Sequence, residues 1–208
     1  MIREATTTRP SFPEFAAVFI PFSFLLSAAL LVPETQQQLT HGRVIYSIWV
    51  TVLFMIPALW LQLSRAAGQR ARAYWQLCWS AAWAAYMVHF CFTVGVVFHG
   101  SLGEVYAAQG PVIATSNLLD TAWWTFDVAL AWFVTAERRW ISVQRLAAHT
   151  YIAMTFFVSA VVIKHGVVKA LGIAMTAAAV SGIVLGVVRW LRSRQPRATG
   201  AVAVGSNT

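Results

Sequence analysis

The chain has 208 residues, of which 59% are hydrophobic and 11% charged, with a mean hydropathy of +0.65. Soluble domains carry about a quarter charged residues. Here several runs of about 20 residues hold almost no charge, enough at about 1.5 Å per residue to cross a hydrocarbon layer of about 30 Å. The net charge of +8 and the pI near 10.3 do not mark a nucleic-acid binder, because the arginines gather in short segments between apolar runs, as topology determinants do.

The sequence therefore reads as an all-α, polytopic membrane protein. A six-helix transmembrane bundle occupies residues 14–192, between a cytoplasmic N-terminal segment (1–13) and a flexible basic and polar C-terminal tail (193–208). Residues 1–13 lack the basic start, short apolar run and cleavage site of a signal peptide, so the first apolar run is expected to be retained.

Span one covers 14–33 and contains Pro21. A polar, glutamine-rich connection then ends at His41 and Arg43. Span two covers 44–63 with Pro57, and both prolines predict bends. Arg65, Arg70 and Arg72 form a basic link to span three, 74–98, which ends at His99 and Gly100. The connection 101–110 holds one acid, Glu104, and no Lys or Arg. Span four runs over 111–135 from Pro111, a favoured first helical residue. A second basic link follows, with Glu137, Arg138, Arg139 and Arg145. The last apolar region is too long for one span and is interrupted at Lys164, His165 and Gly166. It divides into span five (148–163) and span six (168–191), a tilted re-entrant pair being the alternative.

Basic residues alternate between the two sides. Arg3 and Arg9 precede span one, and three arginines follow each of spans two and four. Arg189, Arg192, Arg194 and Arg197 close the chain. The other side has only Arg43, then none after span three, then Lys164 and Lys169. Both termini are therefore expected in the cytoplasm, with the protein in the inner (plasma) membrane. Trp49, Trp60, Trp75, Trp140 and Trp190 fall near predicted span ends, where indoles favour the headgroup region, while Trp79, Trp83, Trp123, Trp124 and Trp132 lie deeper.

Ionisable groups inside hydrocarbon are costly and face a protein interior or a wet cavity, so each is a site candidate. Three qualify: His89, Asp120 and Asp127. His89 lies about 15 Å and Asp120 about 14 Å below the predicted outer ends of their spans, a matched depth. Asp120 and Asp127 share a helix face with Asn117 and Trp124, while Tyr86, His89 and Thr93 share a face of span three. If spans three and four are antiparallel neighbours, the faces meet, and a His89–Asp120 hydrogen bond is the most specific expectation. Trp123 adds to the aromatic lining. The structural alternative is that these groups only hold helices together, Asp127 pairing with Arg138 or Arg139.

On the outer side, His41, His99, Glu104 and His165 are candidate zinc or copper ligands drawn from three separate connections, where exposed loop histidines are the ordinary explanation. A b-type haem needs facing histidines at one depth. Only His89 is deep, His41 and His99 could pair near the outer interface, and His149 falls on the opposite side, so no cofactor is assigned. Cys78 and Cys91, thirteen residues apart and about 20 Å along one helix, read as packing residues that cannot pair. Gly182 and Gly186 form a small-xxx-small pattern that permits close helix approach or association.

These features predict an outward-opening polar pocket centred on His89, Asn117, Asp120 and Trp124. It would bind or act on a hydrophobic ligand such as a quinone, isoprenoid or lipid. Asp120, held away from water, would donate a proton, and His89 would orient it or accept one. The rival classes are a non-catalytic membrane subunit or assembly factor of a redox complex, with a membrane-protein partner or a second copy, and a small proton-coupled transporter.

Overall fold

The computed structural model describes residues 10–32, 39–134 and 138–194. Arg3, Arg9, Thr135, Glu137, Arg197 and the polar connection before Leu39 lie outside the described residues, as does the tail from residue 195. The described residues form seven helices and no strand: α1 (Phe12–Leu31), α2 (Leu39–Leu63), α3 (Gln69–Phe90), α4 (Leu102–Gln109), α5 (Pro111–Phe133), α6 (Arg139–Phe157) and α7 (Gly166–Arg194). Helix α3 continues as a π-helical stretch, Cys91–Val97, and α6 as another, Val158–Ile163.

Five helices are long and apolar enough to cross a membrane: α1, α2, α3 with its π extension, α6 with its π extension, and α7. By length and composition these helices suit a polytopic membrane protein. The predicted fourth span, α5, has 23 residues but falls short in hydropathy, because Asn117, Asp120 and Asp127 interrupt it. The six-span expectation is met in helix length and not in composition.

Several boundaries differ from expectation for local reasons. α1 starts at Phe12 because the Ser11 backbone N–H and hydroxyl both donate to Glu14 Oε2 at 2.8 Å, half of a capping box. His41 and Arg43 lie inside α2, where Arg43 Nε donates to Leu30 O at 3.0 Å and so satisfies a carbonyl at the end of α1. The connection 101–110 contains α4, whose first turn is capped by Ser101 Oγ accepting from Glu104 N. Helix α6 begins at Arg139, nine residues before the predicted span five, and absorbs Arg145. With its π extension it is 25 residues long, and α7 is 29, so both exceed the length of a re-entrant pair. Helices α1 and α2 run through Pro21 and Pro57.

Helices α2 and α3 make the most extensive contact. α1 packs across both, α7 lies along α2, and α5 joins α3 to α6. Trp79, Trp124, Met55, Leu59, Leu77, Ile152 and Met175 fill the centre. On α7 the interface is glycine. A Cβ at Gly182 would stand 3.1 Å from Leu63 Cβ, one at Gly186 would strike the Leu63 carbonyl oxygen, and one at Gly172 would come within 2.7 Å of Ala160 Cβ. The Gly182–Gly186 pattern therefore brings α7 against α2 of the same chain.

Candidate functional site

Helices α3 and α5 are neighbours, joined by a ladder of side-chain hydrogen bonds. Gln76 Nε2 donates to Ala131 O, Trp79 Nε1 to Asp127 Oδ2, Trp83 Nε1 to Thr125 Oγ1, and the Tyr86 hydroxyl to Asn117 O; in the other direction Trp132 Nε1 donates to Ser80 Oγ. The order is antiparallel. These pairings offset the cost of placing the bonded groups among apolar neighbours.

Asp120 is 1% exposed on α5. Its carboxyl lies beside the Tyr86 phenol and close to Thr155 of α6, whose hydroxyl donates to Tyr151 O at 3.1 Å. Asp120 Oδ1 has no hydrogen-bond partner among the described residues, and neither has Trp124 Nε1 or Thr93 Oγ1. Around it Tyr86, Trp124 and Phe156 form an aromatic triad, with ring centroids 5.4 Å (Tyr86–Trp124), 5.9 Å (Tyr86–Phe156) and 6.0 Å (Trp124–Phe156) apart. Thr121 Oγ1 donates within this group, to Asn117 O at 2.8 Å, and Asn117 Nδ2 reaches Gln109 Oε1 at the end of α4. Both helices that face Asp120 turn π-helical just beyond it, α3 at Cys91 and α6 at Val158.

His89 does not meet Asp120. Its Nδ1 donates to Val44 O of α2 at 2.8 Å, and its ring stacks loosely on Tyr86 with centroids 6.1 Å apart. The imidazole faces α2, so the expected His89–Asp120 bond is replaced by one through-ring step, His89 to Tyr86. Trp123, the neighbour of Trp124, points to α6 and packs on Tyr151, centroids 5.6 Å apart.

Asp127, one heptad on, belongs to a different kind of site. It is fully buried, accepts from Trp79 Nε1 at 2.9 Å, and has Arg145 Nε 3.8 Å from its other oxygen. The partner is Arg145 of α6 and not the expected Arg138 or Arg139. His149 completes the group. It is 0% exposed, stacked on Trp79 at 3.8 Å between centroids, with Nε2 accepting from Trp75 Nε1 and Nδ1 donating to Arg145 O. Both ring nitrogens are thereby occupied, so His149 is neutral and has no free lone pair for a haem or metal. The Arg145 guanidinium lies 4.5 Å over the Trp75 ring. Trp75, read as an interfacial indole, is 4% exposed and inside this cluster.

Two cavities, of about 670 and about 300 Å³, open at the end of the bundle where Arg65 and Arg139 lie. The smaller is lined by Arg65, Arg72, Trp75 and Arg145 and so touches the Asp127 cluster. Neither is lined by Asp120; at that level the aromatic triad occupies the space between the helices. On the opposite side His99 Nδ1 lies 3.3 Å from Glu104 Oε2, both exposed, while His41 and His165 are exposed elsewhere. Among the described residues no three His, Cys, Asp or Glu gather to hold a metal ion, so the four outer candidates do not assemble. Cys78 is buried and Cys91 exposed, and both are free, which corrects the reading of Cys91 as a packing residue.

Comparison with known proteins finds no family model, no characterised protein and no solved structure that matches the chain.

Proposed function

We propose that this protein is a membrane-embedded binding bundle in which Asp120 exchanges a proton with the polar head of a hydrophobic ligand of quinone, isoprenoid or lipid type. The observation that carries the reading is the buried Asp120 Oδ1 without a partner, since a buried polar atom left unpaired calls for a ligand, a proton or a functional role. The Asp120 carboxyl would pass its proton to a ligand oxygen, leaving a carboxylate that accepts a hydrogen bond from the ligand hydroxyl so formed. Tyr86 and Trp124 supply flat apolar surfaces for a ring or polyene. The π-helical stretches beyond Tyr86 and Thr155 are the places where α3 and α6 can shift to admit such a ligand. The crowding of arginine at one end of the helices supports cytoplasmic termini in a plasma or inner membrane, with Asp120 reached from the other side.

The test is quenching of tryptophan fluorescence in the purified protein by a decyl-tailed benzoquinone, farnesol and phosphatidic acid in turn. Saturable binding of one of them, weakened at least tenfold in Asp120→Asn with an unchanged melting temperature, is the expected result. Absence of saturable binding of all three, or equal binding by the variant, overturns it.

A second reading, a small proton-coupled transporter, is favoured by one feature: Asp127 shares a face with Asp120, and its cluster adjoins the 300 Å³ cavity at the arginine end. Proton uptake by proteoliposomes, lost in Asp120→Asn, would select it.

A further inference from the structure

The larger cavity, about 670 Å³, is a groove between the ends of α2, α6 and α7. Its walls are apolar and open, with Val143 61% and Ile183 51% exposed. Two guanidiniums stand at its rim, those of Arg65 and Arg139, and neither makes a hydrogen bond or ion pair with any described residue. Ser142 and Gln62 add a hydroxyl and an amide beside them.

Arg65 is there at a conformational cost. Helix α2 ends in a Schellman motif, Ala66 N donating to Leu61 O and Arg65 N to Gln62 O, both at 3.2 Å. That motif puts Arg65 at φ +50°, the left-handed position where glycine is the usual residue and where an L side chain is disfavoured. The helix end does not need this arginine for capping, since Arg189 Nη1 already donates to the Ser64 carbonyl at 2.6 Å. A strained arginine with no partner among the described residues, lining an apolar groove, points to an anion brought by something apolar.

We propose that this groove is a binding site for one anionic phospholipid, its phosphate held by Arg65 and Arg139 and one acyl chain lying along Val143, Ile183 and Val187. Charge complementarity selects the anionic headgroup, and the apolar walls running away from the two arginines select a lipid over a soluble phosphate. The site is independent of Asp120.

Native mass spectrometry of the full chain, released from nanodiscs of equal phosphatidylglycerol and phosphatidylcholine, tests it. The wild type is expected to retain one phosphatidylglycerol at least fivefold over phosphatidylcholine. Arg65→Gly combined with Arg139→Gln is expected to lose that preference. Arg65→Gly alone, which relieves the left-handed strain, is expected to melt no lower than wild type while losing most of the preference, so misfolding cannot mimic the result. Lys169→Gln, removing one positive charge elsewhere, is expected to keep it. Equal retention of the two lipids by the wild type, retention by the double variant, equal loss in Lys169→Gln, or displacement by glycerol phosphate alone would each overturn the proposal.

Discussion

Arg145 Nε lies 3.8 Å from Asp127 Oδ1, an arginine of α6 drawn into the bundle by a carboxylate of α5. The pair is nearly dry, with Arg145 at 12% and Asp127 at 0% side-chain exposure. Its charges are held by Trp79 and by the Trp75 ring, as well as by each other. Removing one partner of such a pair leaves an uncompensated charge, which costs about 3–5 kcal/mol, whereas replacing both by apolar groups of similar volume can be neutral. Asp127→Leu and Arg145→Met are each expected to lower the melting temperature in detergent strongly, and the double variant to recover most of the loss. Additive losses in the double variant would show that the two residues act separately.

Asp120 should respond with the opposite sign. It is as buried as Asp127, yet among the described residues it makes no ion pair and its Oδ1 accepts no hydrogen bond, whereas Asp127 has Arg145 beside it. A residue kept for function at the expense of stability is improved by an apolar replacement. Asp120→Leu is expected to melt at or above the wild-type temperature. A drop comparable to that of Asp127→Leu, on the order of 3 kcal/mol or more, would make Asp120 a packing residue.

The difference between these two aspartates marks how far the sequence could be read. Their shared face follows from helical periodicity and was legible, and the proximity of Tyr86, Asn117 and Trp124 followed on the condition that the two helices are antiparallel neighbours, as α3 and α5 are. The Arg145–His149 cluster was not legible, because a window that ends a span at the last charge assigns Arg145 to a link and leaves His149 at the edge of span five. The indoles of Trp75 and Trp79, the carboxylate of Asp127 and the Arg145 carbonyl make their burial tolerable, and all of these come from residues distant in sequence or from backbone. The orientation of His89 was equally hidden. Depth fixes how far along the helix a side chain sits, but which neighbour it faces depends on α2, whose Val44 carbonyl takes its proton. Only one cue was local and passed over: Ser11 three residues before Glu14, a capping box that sets the start of α1.

Helix α5 has the length of a span without the composition, so its insertion should depend on its neighbours. An aspartate at mid-helix costs about 2.5–3.5 kcal/mol in insertion. Placed alone in a glycosylation-reported insertion assay, the segment 111–133 is expected to insert poorly, segment 39–63 efficiently, and 111–133 with Asp120→Leu and Asp127→Leu efficiently as well. Preceded by α3, whose Trp79 and Tyr86 meet its polar face, the native α5 should gain insertion. Efficient insertion of the isolated native segment would mean that the ladder to α3 is not needed to bring α5 into the membrane.

The glycines of α7 give a graded prediction, because the room at each differs. At Gly182 a methyl group would press on Leu63 Cβ at 3.1 Å and on Trp60 O at 3.2 Å, contacts that a small shift relieves. At Gly186 the same methyl would overlap the carbonyl oxygen of Leu63, a backbone atom held by the end of α2, so the helices must separate. Overpacking a tight interface costs about 1–3 kcal/mol. Gly186→Ala is expected at or above the top of that range and Gly182→Ala near the bottom, read as melting temperatures of the two variants in the same detergent. Because α7 also shapes the 670 Å³ groove through Gly186 and Val187, Gly186→Ala should disturb lipid retention while Gly182→Ala leaves it intact. Equal melting of the two variants would show that α2 and α7 are not pressed together at Leu63.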